Sequence, residues 1–489
     1  MIVSNNLAHG AVSLPLMMIL LHLFVEKYSK IQRTIQVLGA LIFLSFAICF
    51  LLMYKAPVTI AVSNWQPPFA ITLVFDRLTC FMLVVFAAVL NCVSFFSMGD
   101  PAIKRKKREF YCAFWLLTLG MVGAISTHDL FNLYVWLEVM LVSSLILILS
   151  NHEQPLSELF HYALINVFGT LLMLASIGLI YSLTGTLNYY EIAKQISTLP
   201  AYYAAPPLGL LIFALGIKGG IFPLYFWLPR AYPSTSISSC MLMASITTKV
   251  IMVVLLRLVY LLQPLQSDVF QTLLIPIACA TMVFGVLGAA TQINIRRILS
   301  FHIISQLGYV LFSIMLVTKA SLVAAIYFLV HNIFVKTNLF MSCGLVEQRY
   351  ATNDLNKLQR LATKNNLYSI IFFLAATSLA GFPPFSGFIG KFLIISAAVD
   401  NAFYAGIAFM IAVSLFTMYS MFKIWRYGFC EKSEHLETVA LPGTVSRSQV
   451  FAFIALCLIW LSIGMWPDPI LKQLNLVAHD IIQLQVTVT

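Results

Sequence analysis

Apolar runs of bilayer-spanning length recur along this chain of 489 residues, with only short polar breaks between them. That pattern leaves few folds open, because backbone N–H and C=O groups in hydrocarbon must find partners within their own segment. A run of about 20 apolar residues crosses the core as a helix, so the length allows about fourteen crossings. The runs fall at about 9–25, 33–54, 75–98, 110–126, 129–150, 159–183, 206–229, 237–262, 269–291, 298–317, 320–346, 367–397, 403–426 and 449–466. Charged residues make up 10% of the chain, against about 25% in soluble domains. The expected fold is an all-α polytopic membrane protein. Pro200 to Pro207 reads as a connector, Asn188 to Thr198 as a short interfacial helix, and the tail after Pro469 as a segment along the membrane surface or a partner.

Charge placement orients the chain. Breaks after the first, third, ninth, eleventh and thirteenth helices hold Lys27, Lys30 and Arg33; Lys104, Arg105, Lys106, Lys107 and Arg108; Arg296 and Arg297; Arg349, Lys357, Arg360 and Lys364; and Arg426, Lys432 and Arg447. Opposite breaks hold little beyond Lys55, Lys194 and Lys319. The positive-inside rule then expects both termini outside a bacterial inner membrane. A net charge of +11 is here a topology signal, not the footprint of a nucleic-acid partner. The start Met-Ile-Val-Ser-Asn-Asn has no basic region ahead of a small-residue cleavage site, so no removable signal peptide is expected. Nine cysteines lie singly with no Cys-x-x-Cys, so no disulfide framework, metal or iron–sulfur site is expected. No nucleotide loop, haem-ligand pattern or catalytic triad stands out, which points to a transporter without cofactors rather than an enzyme.

Two runs are interrupted. The seventh contains Gly216-Ile217-Lys218-Gly219-Gly220-Ile221-Phe222-Pro223, and the twelfth contains Ala380-Gly381-Phe382-Pro383-Pro384-Phe385-Ser386-Gly387-Phe388-Ile389-Gly390-Lys391. Glycine and proline weaken a helix, and a lysine at mid-depth costs about 2.5–3.5 kcal/mol on insertion scales. Paired interruptions in two halves point to inverted repeats with an ion site near the midplane. The expected division is 1–109, a first five-helix repeat at 110–262, a second inverted five-helix repeat at 263–426, and a linker, last helix and tail at 427–489.

The remaining buried charges fall on the same core. Glu138 is mid-way along the fifth helix and is expected to pair with Lys218. Lys249, on the eighth, shares a polar face with Ser238 and Ser245. His302, Gln306 and Tyr309 line one face of the tenth helix. The eleventh carries Asn332 and Lys336 on one face and His331 and Asn338 on another, which makes it central. Lys391 closes the series beside the second break, as an interfacial anchor or a terminal ion gate. His128 and Asp129 suit either interfacial caps or a proton entrance, while Asp76 and Arg77 read as structural. Glu138, Lys218, Lys249, Lys336 and Lys391 thus form a line of titratable groups along the membrane plane.

With those residues laid out, the chain resembles the antiporter-like subunits of respiratory complex I and its relatives, and most of all the D subunits of the Mrp-type multisubunit sodium/proton antiporters. The likeness covers nearly the whole chain. It rests on His128–Met140, Ile221–Pro229, His302–Tyr309, Val335–Phe340 and Pro383–Phe388. The resemblance implies fourteen helices, two inverted five-helix repeats, and a Glu–Lys pair feeding a central and a terminal lysine. Glu138, Lys218, Lys249, Lys336 and Lys391 match those roles position by position. It also implies exchange of protons for sodium, or for another monovalent cation, within a hetero-oligomeric complex. Arg230 departs from the family, where an acidic residue is common, and Asn332 stands where many relatives have His. The alternatives are a proton-pumping subunit of an NADH–quinone or hydrogenase complex, and a scaffold whose charges only hold partners together.

Overall fold

The computed structural model describes residues 2–25, 28–62, 65, 70–149, 156–358, 366–427 and 445–488. The basic residues Lys27, Arg360, Lys364 and Lys432 lie outside them. The helices are α1 (Ile2–Phe24), α2 (Ser29–Leu52), α3 (Arg77–Ser97), α4 (Pro101–Arg105), α5 (Lys107–Ser126), α6 (Leu130–Leu149), α7 (Leu156–Thr184), α8 (Tyr189–Ser197), α9 (Ala201–Gly219), α10 (Leu228–Ala231), α11 (Ile237–Leu261), α12 (Asp268–Thr291), α13 (Ile295–Met315), α14 (Lys319–Tyr350), α15 (Asn366–Ala380), α16 (Ser386–Asp400), α17 (Tyr404–Trp425), α18 (Arg447–Met465) and α19 (Asp468–Val488). Among the described residues, thirteen helices are long and apolar enough to cross a membrane. A further crossing is made of two halves, α15 and α16, each of 15 residues. Neither half is long enough to span alone, which is what the Gly381–Pro384 interruption requires.

Burial sorts the helices into layers. Every residue of α11 is buried, and α13 and α14 are buried along nearly their whole length. A helix that is apolar all round takes its place from its neighbours, and these three form the centre. By contrast α1 and α2 keep Leu16, Leu20, Leu38 and Ile42 exposed, as a hydrocarbon-facing surface would. The buried seam runs through successive contacts of α6 with α7, α7 with α9, α9 with α11, α11 with α14 and α14 with α16. Each of these five contacts joins helices that carry site residues.

Four departures from the sequence expectation have physical reasons. A hairpin of β1 (Val58–Ala61) and β2 (Thr72–Phe75) pairs antiparallel between α2 and α3, so the described residues are not wholly helical. It continues into the α5–α6 turn, where the His128 N–H donates to the Thr72 carbonyl (2.9 Å). The Pro200–Pro207 connector is helical from Ala201. Proline at 206 and 207 deprives the carbonyls of Tyr202 and Tyr203 of their usual helical donors, and these residues are 70% and 52% exposed. The seventh run stops being helical at Gly219 rather than reaching 229. The tail after Pro469 is α19, an amphipathic helix packed on this chain's own α3, α8, α11 and α14.

The low-charge end holds a buried ion pair that no local sequence pattern announces. Arg257 of α11 donates to both oxygens of Asp76 (2.8 and 2.9 Å) and to the Ile125 carbonyl, bolting α11 to the start of α3 and the end of α5. Arg77 does not pair with its neighbour; it meets Asp480 of α19 at 2.8 Å. Burial pushes the Asp76 carboxyl up, but Arg257, His128 and the Thr79 donors together hold it below the usual carboxylate range. His128, stacked 5.2 Å from Tyr190, is pushed down to about 3 by burial and then by Arg257. Between pH 6.5 and that value the unfolded chain binds a proton that the folded histidine refuses, so stability drops as pH falls through this window. Asp76 loses its share only at lower pH, as it protonates below its ordinary value of 3.8. His128→Phe should therefore flatten the fall in apparent unfolding temperature between about pH 6.5 and 5, the upper part of the histidine window. An unchanged slope would place the acid sensitivity elsewhere.

Candidate functional site

The site begins where α9 breaks. Gly220 takes a left-handed conformation (φ 73°) and caps the helix, and a Cβ there would stand 3.1 Å from Leu228. The Ile221 N–H returns to the Gly216 carbonyl (2.9 Å), and Trp227 Nε1 donates to the Ile217 carbonyl (3.0 Å). These bonds end the helix inside the protein and leave Lys218 in its last turn, at the carbonyl end that favours a cation. Lys218 Nζ donates to Glu138 Oε1 of α6 (3.0 Å) and to Thr170 Oγ1 of α7 (2.8 Å). The Thr170 hydroxyl donates in turn to the same carboxylate oxygen (2.5 Å). The lysine side chain is 5% exposed and the glutamate 27%, so the pair is closed at its cationic end and open at its acidic end. Thr170 is not legible in the sequence, since a threonine in an apolar helix is ordinarily bonded to its own backbone.

The second break presents a lysine to a helix end from the other side. Lys391, in the second turn of α16, donates to the Leu379 and Ala380 carbonyls that end α15 (3.2 and 2.8 Å). Its ammonium lies 5.4 Å from the centre of the Tyr309 ring. Gly387 permits this geometry, because a Cβ there would come within 1.8 Å of the Ser378 carbonyl oxygen. Lys391 is 5% exposed, which does not fit an interfacial anchor.

Between the breaks lies a lane of buried polar atoms. Lys336 of α14 is 0% exposed, and among the described residues its Nζ has no hydrogen-bond partner. Both amide atoms of Gln306, His302 Nδ1, His331 Nε2, Asn332 Oδ1 and Thr248 Oγ1 are equally unpartnered. The other ring nitrogens are held, His302 Nε2 by Ser420 (2.6 Å) and His331 Nδ1 by Ser386 at the start of α16 (2.8 Å). Asn332 Nδ2 turns back to the Phe328 carbonyl of its own helix (2.8 Å), and Asn338 binds the Phe453 carbonyl (3.0 Å). The charges that act on Lys336 are those of Lys249 and Lys391, and His302 feels Lys336 and Lys391.

Lys249 is buried but folded back, its Nζ bonded to the Ala244 carbonyl of its own helix. Among the described residues no hydrogen bond or ion pair joins it to Lys218. A small cavity lined by Lys218, Tyr162, Asn166, Trp227, Thr247 and Ile251 lies between the two helices. Thr247 and Ile251 are two residues either side of Lys249, so the cavity meets nearly the opposite face of α11. Ser238, on the Lys249 face of α11, binds Asp100 through its N–H (3.1 Å) and hydroxyl (2.6 Å). His128 and Asp129 stand apart at the low-charge end. Asp129 accepts the Asn132 N–H (2.7 Å) as a cap of α6, nine residues before Glu138 and about 13 Å away along the helix.

Residues 127–417 match the family described as NADH:quinone oxidoreductase/Mrp antiporter, TM. The Na(+)/H(+) antiporter D subunit of Alkalihalophilus pseudofirmus is 35% identical over 98% of this chain and 97% of its own length. A chain in the structure of the Mrp complex from Dietzia sp. superposes with a TM-score of 0.90 at 26% identity, covering 100% of this chain and 99% of that one. A chain of the archaeal membrane-bound sulfane sulfur reductase superposes with a TM-score of 0.89 at 23% identity, covering 98% and 99%, and shares the fold. On the family match across the site and the relative similar along almost the whole length, the chain belongs to the NADH:quinone oxidoreductase/Mrp antiporter transmembrane family, on the side of its Na(+)/H(+) antiporter D subunits.

Proposed function

We propose that this chain is a membrane subunit of a multisubunit Na+/H+ antiporter, working with other subunits in a bacterial inner membrane. The observation that carries the reading is the Glu138–Lys218 ion pair at the end of a broken helix, closed around the lysine and open at the carboxylate. A proton or cation reaching Glu138 competes with the Lys218 ammonium, and the freed charge acts on the polar lane beyond. The unpartnered atoms of Gln306, His302, His331 and Lys336 support that lane as the path to Lys391. Polar groups left unpaired in an apolar interior cost several kcal/mol each unless a polar species visits them. Lys249 serves as the central relay if its ammonium leaves the Ala244 carbonyl and turns toward Lys336.

The proposed units are the inverted repeats 110–262 and 263–426. Supporting this, Asp129 of the α5–α6 turn bridges Asn188 after α7, while Asn294 of the α12–α13 turn bridges Asp354 after α14. The two bridges occupy opposite ends of the bundle, as inversion demands. Each half also has one broken crossing with a buried lysine beside the break. The basic end, with Lys104, Arg297 and Arg349, faces the cytoplasm in this reading, and both termini lie outside.

Inverted membrane vesicles containing the chain and its neighbouring subunits test the reading. An acid interior is established, sodium is added, and a pH-sensitive dye follows the gradient. Collapse on adding sodium is the expected result. A gradient that ignores sodium, and instead forms only when a respiratory donor is supplied, would assign the chain to a redox-driven pump.

A further inference from the structure

We propose that the basic end of α1, α2, α4 and α5 carries a seat for one anionic phospholipid, with the phosphate held by Ser29, Arg33, Lys104 and Lys107. Residues 26–33 and 104–109 hold eight basic residues and two acidic ones. The structure gathers part of this charge rather than spreading it. Lys107 Nζ donates to the Ser29 hydroxyl, which draws the first turn of α5 onto the first turn of α2. Arg33 and Lys104 are both near enough to act on Lys107 electrostatically. Their surroundings do not neutralise them: Glu109 is taken by Arg108 (3.7 Å), and among the described residues no carboxylate pairs with Arg33, Lys104 or Lys107. Lys106 is spent elsewhere, on the Leu149 carbonyl that ends α6 (3.1 Å).

Like charges held together repel, and a phosphate accepting from a hydroxyl and several cations relieves that repulsion. The neighbouring surface decides between a free anion and a lipid. Ile31, Leu38 and Ile42, spaced seven and four along α2, are 47%, 52% and 56% exposed and run from the cluster toward mid-bilayer depth. A headgroup on the cations therefore places its acyl chains along this stripe. Basic pockets at the cytoplasmic side of membrane helices suit anionic headgroups for the same reason. In this role the lipid bridges the first turns of α2 and α5 at the basic end.

The test uses the whole complex, purified in detergent, delipidated, and titrated with dioleoylphosphatidylglycerol or dioleoylphosphatidylcholine, with bound lipid counted by native mass spectrometry. The combined variant Arg33→Gln, Lys104→Gln, Lys107→Gln is expected to lower affinity for one phosphatidylglycerol by about tenfold or more, since each nearby cation contributes roughly fivefold. Phosphatidylcholine binding is expected to stay as in the wild type. Equal phosphatidylglycerol binding by the assembled variant overturns the proposal. Displacement of that lipid by an equal concentration of inorganic phosphate overturns the lipid assignment in favour of a simple anion site. If the variant fails to assemble, the wild type decides: 1 M salt shortens screening to about 3 Å and should release the phosphatidylglycerol. Retention at that salt overturns the charge-held seat.

Discussion

Glu138→Gln is expected to reduce sodium-driven proton movement about a hundredfold, the scale of losing a group that takes and returns a proton. Glutamine has the same shape and still accepts from the Thr170 hydroxyl and Lys218 Nζ, which meet at Glu138 Oε1. It cannot titrate, so the lysine loses the partner whose charge changes. The fold should hold. Glutamine keeps the acceptor that both donors use, so assembly is expected to survive the loss of the negative charge. The assay is dye-monitored exchange in vesicles, with assembly of the complex checked on a native gel. Preserved exchange in an assembled complex would remove the pair from the pathway. Loss of assembly would favour a scaffold role for these charges.

Lys336→Met should have opposite effects on function and stability. The Lys336 side chain is fully buried and has no hydrogen-bond partner among the described residues, so folding strips its amine of water and gives it no bond with them in exchange. Insertion scales put such a residue at about 2.5–3.5 kcal/mol of cost near a helix centre. Methionine nearly matches the volume and removes the charge, so the unfolding temperature of the complex is expected to rise. Exchange is expected to fall about a hundredfold, because the ammonium that stands between the charges of Lys249 and Lys391 has gone. A residue kept for structure would behave in the reverse way, losing stability and keeping transport. Thermal unfolding and vesicle exchange measured on one preparation separate the two.

Much of the site is legible because a charge within an apolar run has few benign explanations. Glu138 and Lys218 sit 80 residues apart, yet depth alone singles out both, and they meet at 3.0 Å. Lys391 is the harder case. Its place early in a half-helix suits an anchor, and only the return of α15 carbonyls to its Nζ makes it internal. Arg257 escapes notice because it lies near the end of its run, where an arginine ordinarily reaches the interface. Its partner Asp76 is 181 residues away, and nothing in the spacing links them. The Ser238–Lys249 face misleads for a related reason: helical spacing shows which residues share a side, not what stands opposite that side.

By itself, then, the sequence determined the crossings, their breaks and the residues whose burial demands a reason. Those follow from hydrocarbon, which forbids an unpaired backbone and taxes every charge, so their signature is local and one-dimensional. Tertiary structure alone decided the pairings. Thr170 bridges Glu138 and Lys218, Lys249 turns away from Lys218, and α19 folds onto its own bundle. Each of these depends on which helix faces which, and a distance between helices is not written in the spacing along either one.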